Sequence, residues 1–294
     1  MIDATPQRRP SAAPIRHLAA TLLTTALLGL LFAVPAIASD AASSAVASPA
    51  TTATTTTTSS TADAMAANIL SWLNRDRAAA GLRPLRSWSS MKSLANQRSA
   101  NMASAQVLSH TDSGGDPGRA LTASGLQWSS FGENIGETSY PWGSQAAANL
   151  YRMWKGSPTH HAIMFSATYN YIGVGIARAS DGSTWSSVMF TESVDHTPAV
   201  AHNGSLTRIG ATSLHFTWSG TDPLLQTHTA GLRGFNVQYR VDGGAWYQIR
   251  TMTTMTWLGL SNRRHGHYYS FRVQASDKRG NLSAWTAEKR IWVP

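Results

Sequence analysis

The sequence predicts an α+β domain followed by an all-β sandwich, and three observations carry that reading. Apolar residues recur at helical spacing between Thr61 and Trp154. Two extended segments then close around Asp181-Gly182, a hairpin turn signal. Past Pro198 the helical period disappears, and short strands alternate with turns. At 294 residues the chain is long enough for two ordinary domains.

Taken in order, the chain begins with a segment that reads as a leader. Arg8, Arg9, Arg16 and His17 precede Leu18 to Val34, an apolar run broken only by threonines and a glycine. Pro35-Ala36-Ile37-Ala38-Ser39 supplies the small residues a signal peptidase reads, so residues 1–38 are expected to leave as a signal peptide, cut after Ala38. The alternative is an uncleaved anchor, although seventeen residues is short for a hydrocarbon core of ~30 Å. Residues 39–62 are almost wholly Ala, Ser, Thr and Pro and are expected to form a disordered tether, open to O-linked glycosylation.

Residues 63–196 hold the mixed domain. Met65, Ile69, Trp72 and Leu73 define a first helix, with Asp63 as its expected cap and Gly81 as its stop. A second helix is expected over Ser89 to Ala105, with Met91, Leu94, Ala95 and Met102 inward and Lys92, Asn96 and Arg98 placed elsewhere. Asp116-Pro117 opens a short helix that Gly125 stops, and Trp128 to Gly136 reads as extended. Ser144 is the expected cap of a helix that buries Ala147, Leu150, Tyr151 and Trp154. Tyr171 to Ala177 and Thr184 to Thr191 are the two strands of the hairpin. Residues 197–294 hold the sandwich, with strands expected over Ser213 to Trp218, Gly234 to Val241, Trp246 to Met252, Thr256 to Leu260, Tyr268 to Ala275 and Ala287 to Val293. Asp242-Gly243-Gly244 marks a hairpin between two of them.

Composition narrows the setting. There is no cysteine, so an exported form must be held by its cores alone, which points to a bacterial export route. Charge is unevenly placed: residues 63 to 197 hold ten Lys/Arg against nine Asp/Glu, and 198 to 294 hold eleven against four. The second domain is therefore expected to favour anionic cell-wall polymer or another anionic surface, the bland reading being that basic charge keeps it soluble. Apart from charge, no feature points to nucleic acid.

Three separate stretches offer metal-type or acid/base-type side chains. Ser157-Pro158-Thr159-His160-His161 follows a helix, Ser109-His110-Thr111-Asp112 follows another, and Phe131-Gly132-Glu133-Asn134-Ile135-Gly136 buries a carboxylate. Each has an ordinary explanation as well: His110 suits the negative end of a helix, and paired histidines on a surface are commonly just solvated.

These residues resemble the CAP superfamily (cysteine-rich secretory, antigen 5 and pathogenesis-related-1 proteins) in a bacterial, cysteine-free form. The resemblance covers about Ala64 to Val194 and rests on motifs in the family's order: Leu73-Asn74-Arg75-Asp76-Arg77, Ser109-His110, Gly132-Glu133-Asn134-Ile135, Trp154 then Ser157-Pro158-Thr159-His160, Gly173-Val174-Gly175, and the Trp185 to Phe190 strand. It implies an α-β-α sandwich whose central cleft brings together His110, Glu133 and His160, and which in some members binds zinc or another divalent metal. Asn149 to Gly156 lacks the acid usual in that region, leaving Glu137 or Glu192 as substitutes, and His161 stands where an arginine is common. The second domain resembles a fibronectin type III module, with Trp218 as early core tryptophan and Tyr269 as a tyrosine corner. Trp246, Trp257, Trp285 and Trp292 are expected mostly in its core or at its edges, with sugar stacking as the other use.

The functional expectation is an exported protein whose cleft binds a divalent metal, zinc foremost, through His110, His160, Glu133 and potentially His161, together with a small, lipid-like or peptide ligand. No membrane-spanning segment is expected in the mature chain. The alternative is a metal-dependent extracellular peptidase or other hydrolase with Glu133 as general base; no nucleophile is evident, since there is no cysteine and no serine in a recognisable elbow.

Overall fold

The structure is a computed structural model, and it describes residues 2–8 and 60–294. The expected leader and tether lie outside the described residues, apart from a first strand, β1 (Ile2–Arg8), and residues 60–62.

Helix α1 (Thr61–Ala79) is capped by Ser60, whose hydroxyl accepts from the Asp63 backbone N–H at 3.1 Å. Asp63 was the expected cap, but it falls in the first turn, where its charge suits the positive end of the helix. Strand β2 (Arg86–Ser87) leads to α2 (Ser89–Ala105), and α3 (Pro117–Ala123) opens on an Asp116 cap, its side chain accepting from Arg119 N–H at 2.9 Å. Strand β3 (Ser130–Thr138) precedes α4 (Ser144–Gly156), in which Ser144 is the first helical residue and Gly143, at φ +127°, takes the cap position without a side-chain bond. Pro158 does more than break α4. It starts a further short helix, α5 (Pro158–Met164), as a proline at the first helical position can. Strands β4 (Tyr171–Arg178) and β5 (Thr184–Glu192) form the expected hairpin.

These strands form one sheet in the order β1-β3-β5-β4-β2, antiparallel except for the β2–β4 pair. Alternation along β4 and β5 sends Ile172, Val174, Ile176, Val188 and Phe190 into one core with α1, α4 and α5. Tyr171 and Met189 point the other way, into a core with Met91 and Ala95 of α2 and Leu121 of α3. Two helical layers therefore enclose the sheet. The outline is an α-β-α sandwich, as the motif resemblance implied.

The remaining strands are β6 (Val200–Arg208), β7 (Leu214–Thr221), β8 (Leu232–Val241), β9 (Tyr247–Thr253), β10 (Trp257–Leu260), β11 (His267–Asp277) and β12 (Lys289–Val293). They make a three-stranded sheet, β10-β7-β6, and a four-stranded one, β12-β11-β8-β9. One core joins them, with Phe216 of the first sheet 5.1 Å from Phe271 of the second, ring centre to ring centre. Sequence periodicity missed β6 because its nine residues alternate weakly and lie mostly exposed. Trp218 is buried in that core, Trp257 and Trp292 lie on the edge strands β10 and β12 and are 50% and 41% exposed, and Trp246 and Trp285 sit half-buried against Arg272.

The two parts are packed together through a strap. Leu225, from the β7–β8 connection, is 2% exposed and completes the core that contains Met91, Phe131, Tyr171 and Met189. Beside it Gln226 accepts from Arg83 N–H at 2.8 Å, Asn170 donates to Thr227 O at 3.1 Å, and His228 meets Glu192 at 3.0 Å. No helix among the described residues is long and apolar enough to cross a membrane.

Candidate functional site

The site grows from a single arginine on an apolar helix face. Arg98 lies between Ala95 and Met102 in the inward stripe of α2 and is 1% exposed, so the expectation that set it apart from the inward face is overturned. A buried guanidinium requires a partner. Glu133, fully buried on β3, supplies it: Arg98 Nε donates to Glu133 Oε1 at 2.6 Å and Nη2 to Oε2 at 3.1 Å, a two-pronged pair. The remaining guanidinium donors reach His110 O at 2.8 Å, Gly115 O at 3.1 Å and Asp112 Oδ1 at 3.4 Å, which ties the loop after α2 to the helix.

Glu133 is engaged on every side. Ser187 of β5 donates to Oε1 at 2.6 Å, and Nδ1 of His110 lies 2.8 Å from Oε2. Burial by itself would push this carboxyl up, but the hydrogen bonds from His110, Arg98 and Ser187 and the charge on Arg98 together hold it below the usual carboxylate range. The result is a fixed anion that orients the His110 ring through Nδ1.

His160 reaches the same stretch of β3 from the other face of the sheet. It is buried in α5, its Nδ1 lies 2.6 Å from Ser157 Oγ, and its carbonyl accepts from Asn134 Nδ2 at 3.2 Å. Asn134 follows Glu133 on the strand, so its side chain points oppositely. Arg77 of α1 steadies that helix end: buried and held down to about 10 by burial, it donates to Met164 O at 2.8 Å and Ser166 O at 3.0 Å. His161 turns outward and stacks on Phe165 at 4.2 Å. Strand β1 runs beside this region, with Thr5 opposite Glu133 in the register.

The structure thus joins His110 to Glu133 and brings His160 to the neighbouring strand position, while His161 faces away. Neither proposed substitute for the second acid contacts His110 Nδ1: Glu192 pairs with His228, and Glu137 lies at the far end of β3, opposite Trp185. The second carboxylate on the Arg98 cluster is Asp112, with a side chain 4% exposed. Sequence reasoning overlooked Arg98, Asp112 and Ser187 as members of the site. The spacing Met91, Ala95, Arg98, Met102 did carry a signal, since it follows the helical period with a charge in the apolar row. It also missed Asp195, Asp222 and Asp277, whose carboxylates offer oxygens within 4.8 Å of one another where β5, the β7–β8 connection and β11 end. Nothing in their sequence separation announces that meeting.

Comparison with known proteins places the mixed domain in a family. Residues 70–191 match the cysteine-rich secretory protein family, CAP. The chain therefore contains a CAP domain. Among solved structures, an outer surface protein of Borrelia burgdorferi is 15% identical, covering 44% of this chain and 92% of that one with a TM-score of 0.40. An extracellular protein of Bacillus anthracis containing an SCP domain is 20% identical over 45% of this chain and 41% of that one, with a TM-score of 0.39. A cysteine-rich secretory protein of Staphylococcus aureus is 18% identical, covering 44% and 38%, with a TM-score of 0.34. The chain spans less than half the length of the latter two. Curated proteins give no match.

Proposed function

We propose that this is an exported CAP-domain protein whose His110–Glu133–Arg98 centre, with His160, binds a divalent metal and a small extracellular ligand, while its basic β-sandwich, read as fibronectin type III-like, holds it at an anionic surface. The observation that carries the reading is the 2.8 Å contact between His110 Nδ1 and a carboxylate that Arg98 grips with two further bonds. A carboxylate behind an imidazole fixes its tautomer and makes its other nitrogen the ligating atom, the usual support of a metal-bound histidine. His110 would offer Nε2 to zinc with Glu133 behind it as an orienting group, and His160, which lies on the other face of the sheet, would join it around the edge of β3. With the leader removed, the edge of β3 beside Glu133 would be the ligand's way in.

The hydrolytic alternative asks Glu133 to take up a proton during turnover. A carboxylate held below its ordinary range by four hydrogen bonds is a poor base, so the binding reading is preferred.

Metal analysis of untagged residues 39–294 tests the proposal. We expect one divalent ion per chain, loss of that ion in His110→Ala and in His160→Ala, and affinity about 10- to 100-fold weaker in Glu133→Gln. Protein that stays folded and cannot be loaded with zinc would overturn it.

A further inference from the structure

We propose that the outward face of the four-stranded sheet is a receptor for a linear polyanion carrying a phosphate in each repeat. The inference rests on the surface-attachment reading above and names the face and the chemistry. Along β11, Tyr269, Phe271, Val273 and Ala275 fill the core, so Tyr268, Ser270, Arg272 and Gln274 point outward. Ser270 pairs with Arg240 of β8 on one side and Arg290 of β12 on the other. Two arginines therefore stand in one row across three strands, roughly 10 Å apart at the backbone given strand spacings near 4.8 Å. Arg272 occupies the next outward position on the middle strand.

Aromatic rings hold these guanidinium groups in place. Arg272 lies between Trp246, at 4.2 Å, and Trp285, at 4.7 Å. Arg240 also covers Trp246, at 4.6 Å, and Arg290 covers Tyr268 at 3.7 Å, with Trp292 packed on that ring at 4.7 Å. A guanidinium stacked flat keeps its donors at the rim, in the plane that suits a phosphate oxygen pair. The rings are taken up by one another and by arginine, which disfavours insertion into a bilayer.

Counter-charge is scarce. Of the sandwich's four acids, Asp277 is buried, Asp222 is half-buried and accepts from Gly231 N–H, and Asp242 is engaged by His267. Glu288 pairs with Arg240 and accepts from Ser270, which sets its carboxylate on the row. Arg290 is left for a ligand, while Arg272 gives Nε and Nη2 to Gln238 Oε1 at 2.9 and 2.7 Å and adds its charge to the row; an anion repeating along the row meets these charges where a single one cannot.

The test uses the chain as exported and long-chain inorganic polyphosphate as probe, with binding measured across a salt series. Wild type should bind at low salt. Arg290→Gln should weaken binding about tenfold and make the slope of log Kd against log salt shallower by about one. Arg290→Lys should restore part of it, and Arg208→Gln, an exposed arginine of β6 in the other sheet, should leave affinity unchanged. Equal losses in Arg290→Gln and Arg208→Gln would overturn the assignment of the face while sparing surface attachment. No binding of wild type to polyphosphate or to vesicles of anionic phospholipid would overturn both. Binding to vesicles of anionic phospholipid in place of polyphosphate, lost in Arg290→Gln, would overturn the polymer and make the face a membrane contact.

Discussion

Arg98 and Glu133 form a pair that neither residue can leave without stranding the other in the interior. Removing one partner of a buried ion pair costs about 3–5 kcal/mol, whereas replacing both with apolar groups of similar size is often neutral. Arg98→Met should therefore lower the unfolding free energy obtained from urea denaturation by an amount in that range, with a lower midpoint, and adding Glu133→Leu should recover part of the loss. An unchanged midpoint in Arg98→Met would show that the pair contributes no stability. Asp76 gives a pH signature of its own. Lys155, 2.5 Å away, draws its carboxyl down against partial burial, and with Tyr151 and Arg75 the value settles at about 2. A folded value below the unfolded one of ~3.9 stabilises the fold above that unfolded value and ceases to do so as pH falls toward 2. Asp76→Asn should accordingly melt earlier than wild type at pH 7, with the gap closing between pH ~4 and ~2; a gap constant over that range would refute the linkage. His110 and Glu133 were legible as neighbours through their motifs. Arg98 was not, because a charge within an apolar stripe reads as a surface residue until its partner is known.

Helix α2 lies directly on β4, and two glycines make that approach possible. A Cβ added at Gly175 would sit 2.1 Å from the Ala95 carbonyl carbon and oxygen, and one at Gly173 would sit 2.4 Å from the Met91 carbonyl carbon. Both obstacles are backbone, so the strain cannot be relieved by turning a side chain. Overpacking costs about 1–3 kcal/mol where neighbours yield. Gly175→Ala should reach at least the top of that range by denaturant unfolding and should displace α2, which carries Arg98. Normal stability in that variant would mean the helix floats free of the strand. Secondary structure was largely legible: α2, α3, α4 and the β4–β5 hairpin follow from period and turn chemistry. Strand β6 was not, since Val200–Arg208 has few apolar residues and its pairing comes from β7. Helix α5 was hidden behind its proline, which breaks one helix and begins another.

At the scale of the whole molecule, the sequence reads as a mixed part followed by an all-β part but carries no sign of how they meet. The decisive residue, Leu225, sits in a connection with no periodicity. Its truncation to alanine should cost about 2–5 kcal/mol, the range for a buried leucine. The loss should appear in the unfolding of the CAP domain, read from hydrogen exchange at Tyr171 and Met189, although the substitution lies in the other half. Unfolding of the sandwich alone would contradict the packing described here.

The strap that carries Leu225 also bears on ancestry and engineering. A chain whose halves were interchangeable cassettes could trade its sandwich for another without consequence. Here a transplanted CAP domain would arrive with an unfilled hollow beside Met91 and Phe131, and a transplanted sandwich would bring a leucine with nowhere to go. A recombinant that works must therefore carry the plug and its socket together, which makes the 225–228 segment the natural boundary to respect in any chimera.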